Sequence, residues 1–199
     1  MYNYLCKNRD EENVINIKRV VLIFSTVIVA VVFPAKFVIT NWIKKYDASL
    51  NVLFLLFAAQ YTSIMVRCIH INLYKAEKKQ NRYFAIMISV VILSIILNAI
   101  FYVIYHSIEM IAIATLVTNI VWFTIGELDF KNYRLKIKDY AYTFIILALF
   151  IACGLINNAI IGLVAYGACS ILLMLILMPE TFKYCLNEAN KIIKKVIKK

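Results

Sequence analysis

Residues 50–123 read LNVLFLLFAAQYTSIMVRCIHINLYKAEKKQNRYFAIMISVVILSIILNAIFYVIYHSIEMIAIATLVTNIVWF. Two breaks divide this apolar text. One is a basic loop at 72–82 carrying Lys75, Lys78, Lys79 and Arg82, and the other is the pair His106-Ser107. The pieces between them predict helices over 50–73, 83–105 and 108–125. A helix rises 1.5 Å per residue, so about 20 apolar residues cross a hydrocarbon core of about 30 Å. The block therefore reads as three membrane spans, and the flanking chain adds three more. Apolar text from 20 to about 40 gives the first span, 140–156 the fifth and 159–178 the sixth, with Asn157-Asn158 as the turn between the last two. Pro34 and Lys36 are expected to mark the far end of the first span, with Lys36 snorkelling to the surface and needing no buried partner.

Composition agrees. The chain has 199 residues, is 63% hydrophobic and only 17% charged, with a mean hydropathy of +0.80. A soluble domain is about 45–50% apolar. The expected fold class is therefore all-α: a polytopic membrane helical bundle of six transmembrane helices. It divides into a polar segment at 1–19, a six-helix lobe at 20–178 and a basic tail at 179–199. Residues 1–19 suit either a surface helix or an ordinary tail. The first apolar run is too long for a cleavable signal peptide and lacks a small-residue cleavage site.

Charge sets orientation. Of 22 basic residues, 18 fall in four segments: 1–19, 74–82, 127–139 and the tail from Lys183. The alternate ends hold only Lys36, Lys44 and Lys45. Basic residues collect on the cytoplasmic side, so both termini are expected there. The same rule accounts for the net charge of +11 without nucleic acid as a partner. The tail repeats Ile-Ile-Lys-Lys-Val-Ile-Lys-Lys, and as a helix it would place Ile192, Ile193, Val196 and Ile197 on one face against anionic lipid.

Arg67 is the one charge that the text sets inside a span, about six residues from its cytoplasmic end. An arginine at a helix centre costs roughly 2.5–3.5 kcal/mol on insertion scales. It either snorkels or faces a polar cavity, where its planar guanidinium suits a phosphate. Gln60, Ser63 and Arg67 recur at i, i+3 and i+7, and His70 lies near the same stripe. These four form the candidate substrate-binding face. The other polar residues within spans, from Ser89 to Asn119, read as interhelical hydrogen-bond partners. Glu109 reads as an acid at a helix N-terminus.

The five cysteines (Cys6, Cys68, Cys153, Cys169, Cys185) form no CxxC pair or metal spacing. No phosphate-binding loop, HExxH or intramembrane carboxylate pair is present. No cofactor, metal or catalytic residue is expected, and the chain reads as a non-enzyme. An intramembrane cysteine endopeptidase is the enzyme alternative. Its nucleophile and base would be Cys68 and His70, which at i and i+2 point to different helix faces.

Three strings carry a resemblance: Trp42-Ile43-Lys44-Lys45-Tyr46-Asp47-Ala48-Ser49, Leu73-Tyr74-Lys75-Ala76-Glu77-Lys78-Lys79-Gln80, and Ile108-Glu109-Met110-Ile111-Ala112-Ile113-Ala114-Thr115-Leu116-Val117-Thr118-Asn119. With Asn98, they resemble the C-terminal half of polysaccharide flippases. These are the Wzx-like transporters of O-antigen or capsule repeat units within the multidrug/oligosaccharidyl-lipid/polysaccharide exporter superfamily. The family's usual glycines are replaced at Lys44, Met110 and Ile111. The resemblance implies two six-helix lobes around a cationic cavity that moves a lipid-pyrophosphate-linked glycan across the cytoplasmic membrane by alternating access. The expected partners are thus the bilayer, that glycan, and a second lobe or a second copy of this chain. Arg67 would be a cation of the second lobe facing the pyrophosphate. The alternative from another class is a membrane interaction subunit, or half of a small-molecule exporter.

Overall fold

The first span begins before its apolar text does. The computed structural model describes Leu5 and residues 10–197, apart from the side chains of 190 and 192–197. The helix that opens the first span, α1, runs Glu11–Val29. Val14, Ile15 and Ile17 put an apolar face ahead of Lys18, and Glu11 and Glu12 sit in the first turn, where an acid favours the helix dipole. Residues 11–19 are thus neither a loose tail nor a separate surface helix.

Pro34 kinks the span without ending it. A proline has no N–H, and its ring crowds the carbonyl four residues back. That carbonyl, Ala30 O, accepts instead from Phe33 N at 3.1 Å. The chain turns at Ala30 and Val31, then continues as α2, Val32–Trp42. A 3-10 turn, Lys44–Ser49, leads into α3, Leu50–Met65. One π-helical turn, Val66–His70, joins α3 to α4, Ile71–Ala76. Then follow α5, Gln80–Tyr105; α6, Ile108–Asp129; a 3-10 turn, Lys131–Tyr133; α7, Ile137–Gly154; α8, Ala159–Leu177; and α9, Pro179–Ile197. Among the described residues there is no strand. Six helical stretches are long and apolar enough to cross a membrane, as in a multi-pass membrane protein.

The hairpins close by ordinary capping chemistry. His106 takes the left-handed conformation (φ 50°), and its N–H bonds to Tyr102 O at 2.8 Å. Ser107 Oγ then accepts Glu109 N at 3.2 Å and starts α6. Asn158 Oδ1 accepts Ile160 N at 2.9 Å and starts α8. Such caps satisfy backbone groups that a helix end leaves orphaned.

The second span is central: α3 packs on α6, α1 and α7. The third, α5, leans on α6 at the edge of the bundle. One face, around Val90, packs on α6, and the rest of its circumference is exposed and left for lipid or a partner. Phe33, Phe54, Phe150 and Tyr166 fill the half of the core beyond the kink, with ring centroids 5.3–5.8 Å apart. Gly154 admits Phe54, because a Cβ there would stand 2.5 Å from Phe54 Cδ1.

Lys36 does not snorkel. It is buried, and Nζ donates to Gly154 O at 2.9 Å and Ile156 O at 2.7 Å. It caps α7 from another span. The polar residues of α5 and α6 differ from expectation as well. Ser89, Thr115, Thr118 and Asn119 all bond to carbonyls four residues back on their own helix. A short side chain reaches its own backbone without needing a neighbouring helix, so these bonds add little between spans. Two further interhelical bonds in the core come from residues not singled out in the sequence. Thr26 Oγ1 meets Tyr142 Oη at 2.8 Å, and Tyr166 Oη donates to Thr26 O at 3.1 Å.

Candidate functional site

The four residues of the expected binding face separate into two pairs. Gln60 and Arg67 are exposed, whereas Ser63 and His70 are buried. At about 100° per residue, positions seven apart differ by about 20° and positions three apart by about 60°. The boundary between core and surface passes through that gap. The π turn at Val66–His70 lies on this boundary and presents Arg67 outward and His70 inward within one turn. Single π turns inside α-helices recur at functional sites. Among the described residues Arg67 forms no ion pair. Cys68 is partly buried on the flank next to Arg67, while His70, two residues on, turns inward to Glu127.

His70 leads to a cluster that sequence reading did not identify. Its Nε2–H points at Glu127 Oε1, 2.8 Å away. Lys18 Nζ donates to the same oxygen at 2.6 Å and to Tyr133 O at 2.6 Å. The other carboxylate oxygen, Oε2, accepts Leu135 N at 3.0 Å and Tyr140 Oη at 3.3 Å. Lys18 is 0% exposed, and Glu127 and His70 are 1% exposed. Lone charges would be untenable at such burial; a pair with its remaining hydrogen-bonding positions filled is what permits it. Gly126 makes room for the imidazole, since a Cβ at that position would overlap the ring at Nδ1. Phe123, one turn earlier on the same helix, stacks on the imidazole with 5.9 Å between centroids. Nδ1 has no hydrogen-bond partner among the described residues.

Two further ion pairs flank this cluster at the same end of the bundle. Arg19 grips Asp139 with both arms, Nε to Oδ1 at 3.0 Å and an Nη to Oδ2 at 3.2 Å. Asp139 also accepts Lys136 N at 3.0 Å, which closes the start of α7. Asp129 receives Tyr74 Oη at 2.6 Å and Arg82 Nε at 2.7 Å, and a second Arg82 nitrogen meets its other oxygen. The basic end of five spans is therefore stitched together through Lys18, Arg19, His70, Tyr74 and Arg82 on one side and Glu127, Asp129 and Asp139 on the other.

Sequence position concealed this arrangement. Lys18, Arg19, Glu127 and Asp139 each lie one or two residues outside the apolar text and count as loop charges there. The available signal was the apolar Val14-Ile15 and Ile17 before Lys18, with Glu127 directly after the apolar run of α6. Charges at matching ends of antiparallel spans are placed to pair. Glu109 is a first-turn acid as expected, and it also accepts Asn51 Nδ2 at 2.9 Å at the opposite end. Among the described residues no group of three or more His, Cys, Asp or Glu is arranged to hold a metal ion.

A cavity of about 590 Å³ opens between α1 and α9, lined by Asn13, Asn16, Ile17, Val20, Val21, Glu180, Thr181 and Tyr184. It includes none of Gln60, Ser63, Arg67 and His70. No family model, no curated protein and no solved structure matches the chain.

Proposed function

We propose that this chain is one lobe of a transporter that moves a lipid-pyrophosphate-linked glycan across the cytoplasmic membrane, with both termini cytoplasmic and a second six-helix lobe or a second copy completing the cavity. The observation that carries this reading is Arg67, exposed in the π turn of the central span and without an ion pair among the described residues. An arginine on the flank of a span calls for an anion or for reach to the headgroups. A pyrophosphate supplies paired oxygens for its fork of donors. Gln60, two turns away on the same exposed flank, adds a neutral donor and acceptor.

In this reading the buried Lys18–Glu127–His70 cluster is scaffold. It fixes the first, second and fourth spans so that the exposed flank of the second keeps its shape. No bond is made or broken in the transported molecule, and the chain is not an enzyme.

The test is genetic. Deleting the gene in its own host is expected to trap the lipid-linked glycan in the inner leaflet. The wild-type gene in trans releases it, Arg67→Ala does not, and Arg67→Lys releases part of it. Unchanged glycan display after deletion would replace this reading with that of a membrane interaction subunit.

A further inference from the structure

The cavity between α1 and α9 differs chemically from the rest of the basic end. Glu180 is the only charged side chain lining it among the described residues. The chain carries a net charge of +11, and its lysines and arginines crowd this end. Around the acid stand four neutral polar groups, Asn13, Asn16, Thr181 and Tyr184, and below them Ile17, Val20 and Val21. Those three continue at helical spacing into Phe24, Val27, Ile28 and Val31, all large and 48–61% exposed along the outside of the first span. A polar mouth with one anion thus opens directly onto an apolar track directed into the hydrocarbon.

We propose that this groove is a binding site for a phospholipid with a primary ammonium headgroup. The ammonium meets Glu180, the phosphate and glycerol oxygens meet the amides and hydroxyls, and an acyl chain follows Val20, Val21 and Phe24. Charge decides the headgroup. The basic surface around the groove recruits anionic lipid without regard to shape, whereas Glu180 repels a bare anion and favours a cation. A primary ammonium offers three N–H donors to a carboxylate, and a quaternary ammonium offers none. The site is independent of Arg67 and of what the chain transports.

The full chain, purified in mild detergent, is offered dioleoyl phosphatidylethanolamine, phosphatidylcholine or phosphatidylglycerol in turn, and bound lipid is counted by native mass spectrometry. One phosphatidylethanolamine is expected to be retained about fivefold more tightly than either of the others. Glu180→Gln, at an exposed position, should erase that preference, and Val20→Trp, which fills the groove, should remove the bound lipid. Phosphatidylglycerol retained as well as phosphatidylethanolamine overturns the proposal. So does a preference that survives Glu180→Gln, or a bound lipid that survives Val20→Trp.

Discussion

Gly126 and His70 occupy one space, and each explains the other. An imidazole reaching Glu127 must pass the backbone of α6 at a point where a single methyl group would block it. Overpacking a filled core costs about 1–3 kcal/mol. Gly126→Ala should therefore destabilise the chain by about that amount in a denaturant titration in micelles. Adding His70→Ala should relieve much of the loss, because the small side chain vacates the clash. A double variant as unstable as the sum of the two singles would contradict this packing. Lys18→Met should be more severe, about 3–5 kcal/mol in the same titration, because it leaves a buried carboxylate without its cation. At this scale the sequence was least informative. Arg67 stood out because its neighbours are apolar, whereas Lys18 and Glu127 were hidden by lying at the ends of spans. A one-dimensional text cannot tell a charge that faces water from one that faces another helix end.

Among the elements, the first span shows most clearly how a local rule meets its surroundings. The ban on an N–H at Pro34 is obeyed, as the turn at Ala30 and Val31 shows, but packing carries the helix on to Trp42. Lys36 lies on that continuation and reaches the C-terminal end of α7. Its loss would leave the Gly154 and Ile156 carbonyls without their donor. An unsatisfied buried acceptor costs about 1–3 kcal/mol, so Lys36→Met should lower the unfolding midpoint, whereas exposed Lys44→Met should not. Equal midpoints for the two variants would return Lys36 to the role of a snorkelling surface charge. The number, order and approximate ends of the spans were legible because length and apolarity alone determine them. Partners across the bundle were not, because capping between helices depends on crossing geometry that no local pattern encodes. The backbone is helical over Pro179–Ile197, while the apolar face expected from Ile192, Ile193, Val196 and Ile197 lies outside the described side chains.

At the scale of the whole molecule, the bundle is stitched by charges at one end, by aromatic rings and Lys36 toward the other, and is bare along α5 and the Gln60–Arg67 flank. That uneven surface is what the proposed second lobe would cover. The most direct measurement is the binding of undecaprenyl pyrophosphate to the full chain in neutral-lipid nanodiscs, with undecaprenol as the control. The account predicts that the wild-type chain prefers the pyrophosphate by at least tenfold, equivalent to about 1.4 kcal/mol. Arg67→Ala should lose that preference and Arg67→Lys should keep part of it, while Glu180→Gln leaves it unchanged. Equal binding of undecaprenol and its pyrophosphate, or a preference untouched by Arg67→Ala, would contradict it.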